Sequence, residues 1–209
     1  MRSSFNRDDV SLLLKDITGM VEPMGTVERE KEIQRGRHYC EMLPIEYKPS
    51  DKYVEIYEHA LKVFAQSTAD AVARVSEMIY RKKSGKVVLV SLVRAGTPIG
   101  ILIKRYLETK YKTKIPHYSI SIIRGKGIDQ NAMNYILAEH DSTNIQFVDG
   151  WVGKGAIFQQ LKEALNDYPE VNSSIAVLAD PAMLTSLAGT HEDILILSLI
   201  HISEPTRRS

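Results

Sequence analysis

Four times this chain writes the same short grammar: an apolar run too short for a helix, a polar loop, and, in three of the four, a longer stretch of amphipathic helical spacing. The runs are Lys86–Val93 (KVVLVSLV), Ile115–Ile123 (IPHYSISII), Ile145–Val148 and Asn172–Ala179. The first holds four valines and no alternating polar face, as expected of a strand buried on both sides in a parallel sheet. The stretches Ile99–Tyr111, Ile128–His140 and Ala156–Leu165 space their apolar residues by three and four, and Ala182–Leu187 reads as a short helical piece. Strand and helix in alternation predict an α/β fold with a parallel sheet covered by helices on both faces. In such sheets ligands bind beyond the carboxyl ends of the strands. The loops Arg94–Pro98, Arg124–Gly127 and Asp149–Gly155, together with Asp180, would then share one edge.

The segment before these units is less regular. Ser11–Ile17 fits a short strand or a helical turn, and Val27–Arg35 a short helix stopped by Gly36. Ser50 or Asp51 caps a long helix reaching about Lys83, with Tyr53, Tyr57, Ala60, Phe64, Val72, Val75 and Ile79 on its inner face and Ser84-Gly85 at its end. We divide the chain into an N-terminal segment or hood (1–50), an α/β domain (51–196) and a tail (197–209). The tail, LSLIHISEPTR and two further residues, resembles the translation of a common transposase sequencing adapter. It is set aside from fold reasoning together with His201, and the natural chain is expected to continue past Ile196.

The loop after Ile145–Val148 carries the sharpest chemistry. Gly153-Lys154-Gly155 precedes a helix, so backbone N–H groups and the positive end of the helix dipole can meet an anion without a Cβ in the way. Asp149 cannot favour that anion by charge but suits sugar hydroxyls, and the combination points to a ribose phosphate. The spacing fits neither the P-loop nor the dinucleotide fingerprint; an ordinary strand-to-helix turn is the competing reading. Arg94-Ala95-Gly96-Thr97 could hold a second anion, or be a surface cation and a plain helix cap. Arg124-Gly125-Lys126-Gly127 spaces two cations by glycines, as a mobile lid over phosphates would.

Composition narrows the classes. At 209 residues, 44% hydrophobic and 25% charged with a net charge of +1, the chain has enough apolar material for a full core and no basic excess for a nucleic-acid ligand. A single cysteine, Cys40, excludes an intrachain disulfide and suits a reducing compartment. MRSSFNRDDV lacks the core of a signal peptide and no apolar run reaches a membrane span of ~18 residues, so we expect a cytoplasmic protein.

The motifs GRHYCEMLP, LVRAGTPIG, PHYSISIIRGKGID, FVDGWVGKGAI and LADPA resemble the phosphoribosyltransferase-like proteins of the cysteine protease StiP family, found in bacterial tellurite-resistance and stress gene clusters. The two central loops also look like those of type I phosphoribosyltransferases. The resemblance implies that Asp149 holds the ribose hydroxyls of phosphoribosyl pyrophosphate, while Gly153, Lys154, Gly155 and Ala156 cradle the 5′-phosphate, with Gly150 among the ligand-binding residues. Arg94, Ala95, Gly96 and Thr97 would hold the pyrophosphate under a cover bearing Arg124 and Lys126. Magnesium would enter on the pyrophosphate, since no carboxylate or histidine cluster is spaced as a protein cage. The implied activity is phosphoribosyl transfer to a base or amine, with Asp149, Arg124 and Lys126 as its catalytic residues. Gly150 stands where the superfamily has a second acid and Lys154 intrudes in the turn, which leaves open a protein that senses the ligand without consuming it. The family name implies a third activity, peptide hydrolysis, for which Cys40 with His38 two residues away is the only thiol pair. The acceptor, the oligomeric state and the partners are not written in these residues.

Overall fold

The computed structural model describes residues 5–45 and 48–193. The tail and the run Ile194–Ile202, expected as a partly accidental strand, lie outside the described residues. In chain order the elements are β1 (Ser11–Leu12), β2 (Pro23–Met24), α1 (Thr26–Gln34), β3 (Leu43–Pro44), α2 (Asp51–Lys82), β4 (Val88–Leu92), α3 (Gly96–Tyr111), β5 (His117–Ile120), β6 (Ile122–Ile123), β7 (Gly127–Ile128), α4 (Gln130–Glu139), β8 (Ile145–Trp151), α5 (Ala156–Ala164), β9 (Ile175–Ala179) and β10 (Leu187–Thr190). One sheet of six strands, ordered β1-β5-β4-β8-β9-β10, is parallel throughout.

The strands bury both faces, as their composition requires. Val88, Val90, Leu92, Ile145, Phe147, Ile175 and Val177 join Met133, Ile136 and Leu161 of α4 and α5 in one core. Leu89, Val148, Ala176 and Leu178 join Val72, Val75, Ile79, Ile99 and Ile103 of α2 and α3 in the other. Each fully buried aliphatic side chain contributes about 1.5–3 kcal/mol, so these two layers hold the strand ends in place. Ser50 caps α2 as expected, its Oγ accepting from Tyr53 N at 3.3 Å.

Four expectations are corrected. Ile115–Ile123 is not one strand: β5 ends at Ile120, and β6 pairs antiparallel with β7 through Ile122↔Ile128 and Ile123↔Gly127. Gly125 and Gly127, both in the left-handed region at φ 76° and 83°, permit this tight reversal, so the covering segment is a hairpin rather than an open loop. Asp149 is not at a strand end but inside β8, because β9 continues pairing to Asp149↔Val177 and Trp151↔Ala179. α3 starts at Gly96, three residues earlier than its apolar spacing suggests, so Pro98 occupies its first turn without breaking it. The stretch expected as a helical piece, Ala182–Leu187, is irregular up to Ser186 and enters β10 at Leu187; the four residues of β10 carry no helical or strand signature and are strand only because β9 pairs with them. Within the N-terminal segment, Ser11–Leu12 adds an edge strand to the main sheet beside β5.

Candidate functional site

From β4 the chain passes through α3 to β5 on one side and returns through α4 to β8 on the other. The order therefore reverses between β4 and β8, and the crevice beyond their carboxyl ends is where this architecture binds ligands. The loops after these two strands meet there. A Cβ on Gly96 would strike the Val148 carbonyl oxygen, and one on Gly150 would lie 2.9 Å from the Ala95 Cβ, so both positions require the bare backbone. The peptide joining Val93 to Arg94 is cis.

Beside this contact lies a cleft of about 300 Å³ lined by Arg124, Asp149, Trp151, Val152, the Gly153–Gly155 loop, Ala156, Ile157, Phe158 and Ile175. Gly155 takes φ 78° as the residue before α5, and Gln159 N bonds back to its carbonyl at 2.9 Å. The N–H groups of Ala156, Ile157 and Phe158 precede the first intrahelical bond, and all three residues line the cleft. An anion is favoured at this place by donors and dipole together.

Asp149 shares its strand face with Ile145 and Phe147 and is half-buried. Its Oδ1 accepts from Gly150 N at 2.7 Å. Although one side of the residue opens to the cleft, protein surrounds the carboxyl so closely that desolvation raises its pKa from 3.8 to about 7, against the opposing effect of the Gly150 hydrogen bond. A carboxyl poised near neutrality accepts from sugar hydroxyls when ionised and repels a phosphate less than an ordinary aspartate does.

The other expected residues are divided by the structure. Arg124, Gly153, Lys154, Gly155 and Ala156 join Asp149 around the cleft. Arg94 is exposed and Ala95 abuts Gly150. Thr97 is buried, its Oγ1 2.5 Å from Ser119 Oγ, so its hydroxyl braces β5. Lys126 turns away from the cleft, its Nζ donating to Glu41 Oε1 at 2.7 Å, and Gly125 N donates to Gln160 Oε1 on α5 at 2.6 Å. Asp180, expected at the ligand edge, is wholly buried; its Oδ2 accepts from Thr185 N at 2.8 Å and supports the turn into β10.

Cys40 and His38 are brought together. The segment Tyr39–Glu41 forms a single 3-10 turn with His38 as its cap, which puts His38 Nδ1 2.9 Å from Cys40 Sγ. Both side chains are half-buried, and Glu41 joins them to Lys126.

Trp151 escaped sequence reasoning although it is the sole tryptophan, 44% exposed in the cleft wall with its ring against Gly153. An exposed tryptophan at a strand end beside a glycine loop was the available signal. His117 was also passed over. It is buried with Nδ1–H donating to the Asp9 carbonyl at 2.8 Å and Nε2 accepting from Ser91 Oγ at 2.7 Å, and desolvation lowers its pKa to about 4. It is a neutral tie between β5, β4 and the N-terminal segment.

Among the described residues, no group of three or more His, Cys, Asp or Glu side chains could hold a metal ion, and no helix is long and apolar enough to cross a membrane.

Comparison with known proteins adds kinship. The family described as "Tellurite-like stress resistance cysteine protease StiP" matches residues 3–203. A protein of Acinetobacter baylyi described as "Cysteine protease StiP" is 38% identical over 199 residues, which are 93% of this chain and 51% of that protein. The chain thus spans about half the length of the curated relative it matches. Similar solved structures include a Bacillus anthracis hypoxanthine-guanine phosphoribosyltransferase at 14% identity and TM-score 0.44, covering 60% of this chain and 77% of that one. Trypanosoma cruzi hypoxanthine phosphoribosyltransferase reaches 12% and 0.46 with the same two coverages. A Neisseria gonorrhoeae protein solved with ppGpp reaches 17% and 0.43, covering 61% and 81%.

Proposed function

This chain belongs to the family of tellurite-like stress resistance cysteine proteases named StiP, and from that premise we propose that its central cleft binds phosphoribosyl pyrophosphate with magnesium. One observation carries the reading. Asp149, poised near neutrality, lines the same cleft as Arg124, the Gly153–Gly155 loop and the amino end of α5. The helix end takes the 5′-phosphate, Asp149 the ribose hydroxyls, and Arg124 the negative charge of the pyrophosphate. Magnesium bound to the ligand's phosphate oxygens would offset their charge, and Asp149, the carboxylate among the cleft residues, would be the side chain placed to share it.

The further step is transfer of the phosphoribosyl group. The bond from the anomeric carbon to pyrophosphate breaks with its electron pair on the leaving oxygen, and the lone pair of a base or amine nitrogen forms the new bond and sheds a proton. Arg124 stabilises the leaving charge, and the apolar wall of Val152, Ile157 and Phe158 keeps water from the cationic centre. A protein that holds the ligand without consuming it uses the same cleft without the acceptor. The single thiol and the near-neutral net charge suit work in the cytoplasm. Calorimetric titration of phosphoribosyl pyrophosphate and magnesium into the protein tests the binding: saturable heat supports it, and its absence from folded protein removes it.

A second reading has its own observation, the 2.9 Å approach of His38 Nδ1 to Cys40 Sγ. An imidazole at that distance can take the thiol proton and leave a nucleophilic thiolate. Such a pair fits the peptidase activity named for the Acinetobacter baylyi relative. Loss of peptide cleavage on Cys40→Ser tests it.

A further inference from the structure

The glycine loop that opens into α5 carries an apolar side chain against each of its two glycines. The Trp151 ring comes within 2.5 Å of where a Cβ on Gly153 would stand, and Leu184 Cδ1 lies 2.8 Å from the same position on Gly155. Trp151 is close in sequence, but Leu184 comes from the segment between β9 and β10. That segment is held from several sides. Asp180, wholly buried, accepts from Thr185 N through Oδ2 at 2.8 Å, while its Oδ1 has no partner among the described residues. Thr185 Oγ1 donates at 2.6 Å to the carbonyl of Ile175, which itself lines the cleft, and accepts from Leu187 N at 3.2 Å. Met183 N donates to the Asp180 carbonyl at 3.2 Å, and Met183 takes a left-handed backbone at φ 54°. An orphaned buried oxygen and a left-handed methionine both cost stability. What they secure is the place of the residue between Met183 and Thr185. That residue is Leu184, 42% exposed and outside both cores.

We infer that Leu184 is a positioning residue of the anion site, its side chain bracing Gly155 so that the loop keeps the shape that receives a phosphate. The inference rests on the ribose-phosphate reading above, which seats the 5′-phosphate there. Glycine gives up more conformational freedom on ordering than any other residue, and two of the three loop residues are glycine. A loose loop must be ordered by its ligand and binds more weakly for it, whereas a braced loop is ordered beforehand. Gly155 is where a brace acts most directly. Its φ of 78° sets the direction in which the chain enters α5, and so the aim of the Ala156, Ile157 and Phe158 N–H groups. A leucine suits the place because it brings neither a charge nor an acceptor to compete for those donors.

Calorimetry with phosphoribosyl pyrophosphate and magnesium, on the wild type and on Leu184 variants, tests the brace. Leu184→Ala should bind about tenfold more weakly, the cost of ordering about one backbone residue. Its thermal midpoint should stay near that of the wild type, because the side chain lies outside the cores. Leu184→Met, which keeps an apolar side chain of similar volume, should recover most of the affinity. Gly155→Ala puts a Cβ where Leu184 now rests and displaces it, so in that background Leu184→Ala should have no further effect. A leucine that only supported its own segment would weaken binding equally in both backgrounds, and that result overturns the inference. Unchanged affinity in Leu184→Ala overturns it as well. If Gly155→Ala binds too weakly to measure, Leu184→Ala and Leu184→Met decide the matter between them. When the folded wild type itself gives no heat of binding, the ribose-phosphate reading fails and the brace with it.

Discussion

Gly96 lies so close beneath Val148 that no side-chain atom fits between them. A Cβ there would fall onto the Val148 carbonyl oxygen, 3.1 Å from its carbonyl carbon and 3.2 Å from the Asp149 Cα. The obstacle is backbone on a central strand, which cannot swing aside. Gly96→Ala should therefore destabilise the protein by about 1–3 kcal/mol, the usual cost of overpacking, and part the two loops of the cleft. Thermal denaturation measures the first effect and calorimetric affinity the second. Gly150→Ala, whose nearest contacts would be the Ala95 Cβ at 2.9 Å and the Ala95 carbonyl oxygen at 3.2 Å rather than an oxygen closer still, should be milder.

Asp149→Asn should leave the fold in place and weaken ribose-phosphate binding by about 1.5–3 kcal/mol, the range of hydrogen bonds to a charged group. Wild-type binding should release protons near neutral pH, because hydroxyl donors favour the ionised form of a carboxyl whose pKa stands at about 7. Titrations in buffers of different ionisation heat count the protons, and the variant should release fewer. Equal affinity for both proteins would dismiss Asp149 as a ligand.

The same carboxyl shapes stability in the free protein. Its folded pKa is raised, so its contribution is fully present below 3.8 and lost as pH rises through about 7. Denaturant unfolding of the unliganded wild type should weaken over that window. In Asp149→Asn this decline should flatten.

His117 acts in the opposite sense. Its folded pKa is depressed to about 4 from 6.5, so its contribution is present above 6.5 and lost as pH falls toward 4. Unfolding at pH 7 and pH 5 should differ by about 2 kcal/mol from this group, at about 1.4 kcal/mol per pH unit. His117→Asn, whatever its own stability, should remove that slope.

Trp151, alone of its kind and in the cleft wall, should report occupancy by its fluorescence. Addition of phosphoribosyl pyrophosphate and magnesium should shift or quench its emission saturably, while Cys40→Ser should leave that signal and the calorimetric affinity within about twofold, since Cys40 is not among the cleft residues. An unchanged emission at calorimetric saturation would mean that the ligand sits elsewhere.

Much of this protein is legible one segment at a time. Valine-rich runs and three-four spacing encode α/β alternation because they state which faces must be buried, and the helix α2 with its Ser50 cap follows from local signals alone. Asp149, Arg124 and the glycine loop could be named for the same reason: strand-end loops of a parallel sheet gather at one edge whatever their details. What the sequence could not state is which groups find each other across the chain. Thr97 turns inward because Ser119 offers a buried partner, Asp149 lies within a strand because β9 extends beside it, and Lys126 leaves the cleft because Glu41 stands opposite. The pKa of Asp149 likewise comes from the walls that close around it. Periodicity along the chain determined the layers and the edge where a ligand would sit. Only packing decided which side chains face it, because burial and pairing are properties of neighbours in space.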